Sequence, residues 1–205
     1  MRNVMKLFFV TGIAVTVISA VTALLCGALV AARGITPGGD IQTFYAAGYR
    51  SPSAGEESRK MRASGGAGAV TDGDFVIGAV YSDRADAESV AEKNGYELIA
   101  LECGNGDFAR AAAKYAAECE ELWRALESGQ MSESDAMSAL ASVAVRLNGE
   151  LSDSGEAAAA GAAVMCAVTD GLYPAAGNIR YASALLAIAS ASGEEERGYF
   201  SSFNR

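Results

Sequence analysis

The sequence predicts an α+β protein: an N-terminal transmembrane helix, a linker, a short β-α-β unit, and then a mostly helical region of about four helices. Three observations predict it. Residues Leu7 to Ala32 carry no charge, and a Gly-, Ser- and Pro-rich stretch follows from residue 34 to residue 73. Beyond that stretch come a β-rich run, a capped helical pattern and a second alternating run, after which apolar residues recur at spacings of three and four. The expected boundaries are an anchor at 1–33, a flexible linker at 34–73, an extracytoplasmic domain at 74–192 and a tail at 193–205. Within the domain the β-α-β unit covers 74–102 and the helical part 107–192.

About 20 apolar residues cross the hydrocarbon core of a bilayer as a helix, and the run from Leu7 to Ala32 is longer than that. Arg2 and Lys6 precede it, so the positive-inside bias puts the first residues in the cytoplasm and the bulk of the chain outside, on a single-pass anchor in the cell membrane. A cleaved signal peptide is the alternative, since Val30-Ala31-Ala32 offers small residues to a peptidase. Its apolar core, however, exceeds the usual length of about 7 to 15 residues. Cys26 follows Ala23-Leu24-Leu25, which lacks the small residue that precedes a lipidated cysteine, and reads as an apolar helix residue.

In the segment 34–73, Pro37-Gly38-Gly39, Ser51-Pro52-Ser53 and Gly65-Gly66-Ala67-Gly68 act as breakers, and the composition is that of a mobile spacer. Arg50, Arg59, Lys60 and Arg62 read as solvated linker charges, with contact to anionic headgroups or wall polymers as the alternative. Gly66-Ala67-Gly68 lacks a preceding strand and a third glycine, so it is no dinucleotide loop.

Composition excludes whole classes of function. A formal net charge of -9 opposes a nucleic-acid partner, because phosphate binding needs clustered cations. With no histidine in the chain, there is no imidazole general base, no Ser-His-Asp or Cys-His nucleophile pair and no His-ligated metal. The expectation is a non-catalytic protein with no cofactor and no metal.

Order is expected to resume at Asp74. Phe75 to Tyr81 is a short β-rich run, and Ser82 or Asp83 can cap a helix from Arg84 to Lys93 with Ala87, Val90 and Ala91 on one face. Asn94-Gly95 supplies a C-cap, and Tyr96 to Glu102 alternates like a strand. The string Ile77-Gly78-Ala79-Val80-Tyr81-Ser82-Asp83-Arg84-Ala85-Asp86-Ala87-Glu88, with Val90, Ala91 and Asn94-Gly95-Tyr96, resembles the opening half of a SPOR (sporulation-related) domain. Members of that family are commonly single-pass membrane proteins whose SPOR domain binds peptidoglycan glycan strands outside the membrane. The resemblance implies a role in the cell envelope, associated with sporulation or division. It also implies peptidoglycan or another envelope protein as the partner, and Gly78, Ala79 and Tyr81 as ligand-binding residues.

After the turn Cys103-Gly104-Asn105-Gly106, Asp107 can cap a helix whose stripe is Phe108, Ala112, Tyr115, Cys119, Leu122 and Leu126. Ser132-Glu133-Ser134-Asp135 resembles a capping box and opens a helix with Leu140, Val143, Ala144, Leu147 and Leu151, giving a helical hairpin. Ala157 to Val168 and Ala182 to Ala191 are too short to span a bilayer and read as buried helices.

Individual residues carry weaker signals. Cys103, Cys119 and Cys166 show no CxxC spacing and read as buried thiols, with one disulfide as the alternative. Glu118, Glu120 and Glu121 read as a solvated face rather than an acid-base site, and the acidic run Glu194 to Glu196 lies near the chain end. The Gly104-Asn105-Gly106 amides serve helix capping rather than an anion. Trp123 reads as core rim, and Tyr199, Phe200 and Phe203 as tail aromatics able to meet a partner or a membrane surface. The competing function is a helical scaffold subunit of a membrane complex, with no glycan binding.

Overall fold

The computed structural model describes residues 43–63, 70–150, 161, 164–166, 168 and 174–191, all within one compact unit, Asp40–Arg205. The expected span at 7–32 and the tail at 193–205 lie outside the described residues. Among those described, no helix is long and apolar enough to cross a membrane.

The elements run β1 (Thr43–Arg50), α1 (Ala54–Ala63), β2 (Val70–Asp72), β3 (Phe75–Tyr81), α2 (Arg84–Asn94), β4 (Glu97–Glu102), α3 (Asp107–Glu127), α4 (Glu133–Glu150) and α5 (Ala175–Ala191). The fold is α+β around a four-stranded sheet of order β2-β3-β1-β4, and every neighbouring pair is antiparallel. It follows that β1 and β2 are parallel with β3 between them, and β3 and β4 are parallel with β1 between them. Two β-α-β units, β1-α1-β2 and β3-α2-β4, thus interleave in the double split arrangement of ferredoxin-like sheets. The unit at residues 75–102 is the second of the two rather than an opening one.

The segment expected to be a linker therefore builds half of the sheet, with β1 as a central strand. Phe44 and Ala46 are completely buried, and burying a Phe side chain contributes about 2–3 kcal/mol. One glycine of this segment has a structural role. Gly48 lies beside a register shift between β1 and β3, where a Cβ would collide with the Val76 carbonyl and the Phe75 ring. Ser51-Pro52-Ser53 starts a helix rather than interrupting one: the Ser53 carbonyl accepts the amides of Glu56 at 2.9 Å and Glu57 at 3.1 Å. The four cations assigned to the linker are engaged. Arg50 pairs with Asp74 and Glu97, Lys60 with Glu56, Arg59 donates to the Gly55 carbonyl, and Arg62 reaches Asn178 and the Tyr181 ring.

Several local expectations hold. Asp83 caps α2 by accepting the amides of Ala85 at 2.8 Å and Asp86 at 3.1 Å, and Gly95 ends it in the left-handed conformation at φ 67°. Ser132 opens α4, with its hydroxyl receiving the Asp135 amide and donating to the Asp135 carboxylate. In α3, Ala112, Tyr115, Cys119 and Leu122 are buried as the stripe requires, but the N-cap is Gly106 and the Asp107 carboxylate pairs with Arg110 instead of capping. Leu140, Val143, Ala144 and Leu147 of α4 are completely buried. Ala182 to Ala191 lie within α5, which packs chiefly on α3 and also touches β3, β4 and β2. Of the stretch 157–168, the described residues are helical, with Val164 buried.

Candidate functional site

Cross-strand partners share a face of a sheet, so the register sorts the strands into two sets. Phe44, Ala46 and Gly48 of β1 lie opposite Leu101, Ile99 and Glu97 of β4, and Ala46 and Gly48 also lie opposite Val80 and Ile77 of β3. Most of this set is core. The other face carries Tyr45, Ala47 and Tyr49 of β1, opposite Tyr81, Ala79 and Val76 of β3, and Ala100 and Leu98 opposite Tyr45 and Ala47 on β4.

Two of the three expected ligand-binding residues lie on the β3 half of this second face, Gly78 sits at the register shift between them and Val76, and all three are buried. Val76 is 0 % exposed, Tyr81 6 %, and Gly78 and Ala79 are also buried. The Tyr81 ring meets Trp123 of α3 edge-on at 5.7 Å. Burial pushes the Tyr81 phenol up, against the opposing pull of Arg180 and Arg124. Around this contact the Glu120 carboxylate accepts the Ser82 amide at 2.7 Å and the Arg124 guanidinium at 2.6 Å, and Arg124 also reaches Asp86 at 2.6 Å. Desolvation works against the charge on Arg124, and its hydrogen bonds to Glu120 and Asp86 outweigh that and raise its pKa. Arg180 lies 4.3 Å from the centre of the Trp123 ring and pairs with Glu127. This cluster is a built fastening between sheet and helices, with each charge answered, rather than a cleft for a ligand.

On the β1 and β4 half of the same face Ala47 is buried, but the side chains around it are partly open. Tyr45, Tyr49, Tyr96 and Leu98 are half-buried, and Ala100 and Glu102 are exposed. The Tyr49 and Tyr96 rings stand 5.8 Å apart at 31°, and Tyr96 lies directly over Gly78. Beside them the Glu57 carboxylate accepts the hydroxyls of Ser51 at 2.6 Å and Ser53 at 3.0 Å. Those bonds, led by Ser51 and joined by one from Tyr49, hold its carboxyl below the usual carboxylate range. Burial and then the Glu57 carboxylate push the Tyr49 phenol up. Three half-exposed phenol rings bordered by carboxylates can stack on the apolar face of a flat ligand while accepting hydrogen bonds from its hydroxyls. Of the three residues named from the sequence, Gly78 lies beneath Tyr96, and Tyr81 and Ala79 are the buried cross-strand neighbours of Tyr45 and Ala47.

The acidic run of α3 departs from expectation. Glu118 and Glu120 are buried, not solvated, because neighbouring positions on a helix point to different partners: Glu118 pairs with Arg146, and Glu120 with Arg124. Cys103 and Cys119 are buried as expected, and Cys166 is exposed. Trp123 is buried in the fastening, and the Gly104 amide donates to the Ser190 carbonyl at the end of α5. Among the described residues no group of three or more Cys, Asp and Glu side chains is placed to hold a metal ion.

The tyrosine surface was not singled out from the sequence because two of its rings lie in the segment 34–73, where composition masked the strand. A usable signal was present: Phe44 and Ala46 alternate with Tyr45 and Ala47 over the start of β1. Comparison of the chain with family models, with curated proteins and with solved structures gives no match in any of the three.

Proposed function

We propose that this chain is a membrane-anchored, non-catalytic cell-envelope protein that binds peptidoglycan glycan strands, and that Tyr45, Tyr49 and Tyr96 form the binding surface. The observation that carries the reading is the half-face itself: aromatic rings left half-exposed along β1 and beside β4 while the β3 residues of the same face are buried. Two further points support it. The string from Ile77 to Tyr96 resembles a SPOR domain, and the strands on either side of it complete a four-stranded sheet of two β-α-β units. The uncharged run at 7–32 would act as the single-pass anchor that holds this domain outside the cytoplasm, in a sporulation- or division-associated setting.

The competing scaffold role has less to rest on. Among the described residues Val145, at 67 % exposure, is the large apolar side chain left open to solvent, which is far less than a stable protein interface needs.

The test is binding of residues 40–205 to purified sacculi, before and after removal of the stem peptides. Retention on bare glycan, weakened by Tyr45→Ala, Tyr49→Ala and Tyr96→Ala, is the expected result. A domain that stays folded yet leaves both preparations unbound sinks the glycan reading, and co-purification of one stoichiometric membrane protein would then favour the scaffold.

A further inference from the structure

The Tyr49–Tyr96 pair is braced from both sides. Underneath, Tyr96 rests on Gly78, where a Cβ would come within 2.8 Å of the ring. At the rim, the first residues after β1 turn back so that Ser51 and Ser53 grip Glu57 with their hydroxyls, and Ser51 is itself fixed by its backbone N–H, which donates a hydrogen bond to the Asp74 carbonyl at 2.8 Å. Glu57 in turn accepts the Tyr49 phenol. The brace therefore runs from the turn between β2 and β3 through Ser51 and Glu57 to Tyr49, and from Tyr49 through Tyr96 to Gly78.

The same geometry sets the charge at the rim. The cations around the rim are each paired: Arg50 with Asp74 at 2.6 Å and Glu97 at 3.6 Å, Lys60, whose charge Glu57 also feels, with Glu56 at 2.7 Å, and Arg84, whose charge reaches Tyr45, with Glu88 at 2.7 Å. A ligand lying on the two rings meets the Glu57 carboxylate, while each of these cations already has a carboxylate partner.

We propose that Glu57 is the positioning residue of the Tyr49–Tyr96 shelf, and that its carboxylate selects a neutral or amine-bearing pyranose chain over an anionic polymer. This rests on the glycan reading above and names the class of chain the surface takes. Glu57 acts in two separable ways. As an acceptor it fixes the Tyr49 ring before the ligand arrives, which lowers the ordering cost of binding. As an anion at the rim it repels phosphate- or carboxylate-bearing chains.

The experiment uses the full chain and three probes: a β-1,4-linked N-acetylglucosamine tetramer, its partly deacetylated form, and poly(glycerol phosphate). Glu57→Ala is expected to weaken binding of the tetramer by about two- to ten-fold, the scale of ordering one side chain on binding. Combined with Tyr49→Phe it should add almost nothing, because both changes break one link. Glu57→Gln keeps an acceptor and loses the charge, so it should restore most of the tetramer affinity while admitting the anionic polymer. Circular dichroism confirms that each variant is folded. A Glu57→Ala protein that binds the tetramer as tightly as wild type, effects that add, or wild-type binding of the anionic polymer equal to that of the tetramer would each overturn the proposal. If wild type binds none of the probes, the glycan reading falls. Spectrophotometric titration of the tyrosines then decides the positioning role, and a curve unchanged by Glu57→Ala overturns that as well.

Discussion

Glu120 of α3 accepts the backbone amide of Ser82 at 2.7 Å, which ties the helical region to the turn that leaves β3. Glu120 is 2 % exposed, so its charge depends on this amide and on Arg124. Replacing Arg124 by Met leaves a buried carboxylate with one donor, and the expected cost is about 3 kcal/mol or more. Urea unfolding measures it. A loss under 1 kcal/mol would mean that water reaches Glu120 freely.

Trp123 is the single tryptophan of the chain and packs between Tyr81 and two guanidiniums. Its emission should be blue-shifted in the native protein and move to the red on unfolding. Trp123→Ala should cost about 3–5 kcal/mol. Native emission at the wavelength of free tryptophan would contradict the packing of α3 on β3.

A chain starting at Gly73 lacks β1, α1 and β2, and with them the strand that pairs with both β3 and β4. It should show no cooperative unfolding and no dispersed amide spectrum, whereas residues 40–205 should show both. Cooperative folding of the shorter chain would contradict the sheet order. On the same grounds Gly48→Ala should destabilise by about 3 kcal/mol, because the new methyl group meets backbone, which cannot swing aside.

Acid and alkali should act through different groups. The Glu57 carboxyl is lowered from 4.5, so its contribution to stability is complete above pH 4.5 and is lost as pH falls through the folded value. The phenols of Tyr81 and Tyr115 are raised from 10.0, chiefly by burial, and burial likewise raises the Cys103 thiol from 9.0. Groups with raised values stabilise the fold fully below their unfolded pKa and lose that contribution as pH climbs. Unfolding free energy should therefore hold steady between pH 6 and 8, where the chain has no imidazole to titrate, and decline from about pH 9 upward. A midpoint that changes steeply between pH 6 and 8 would contradict this assignment.

What the sequence determined by itself was what a few neighbouring residues can settle. The Asp83 cap, the Gly95 stop, the strand at Phe75, the Ser132 cap and the buried stripe of α3 all rest on hydrogen bonds or spacings within one or two turns of chain. Tertiary structure decided the rest. Thr43 to Arg50 became a central strand because β3 and β4, distant in sequence, pair with its two edges, and the need for glycine at position 48 arises only once Val76 and Phe75 are beside it. Glu118 and Glu120 are buried because Arg146 and Arg124 answer them, and Tyr81 is covered by Trp123 of α3 while Tyr45 and Tyr49 stay half-exposed. Local periodicity records which residues prefer a core, but burial is a property of partners. The partners here include Ser82 and Glu120, 38 residues apart.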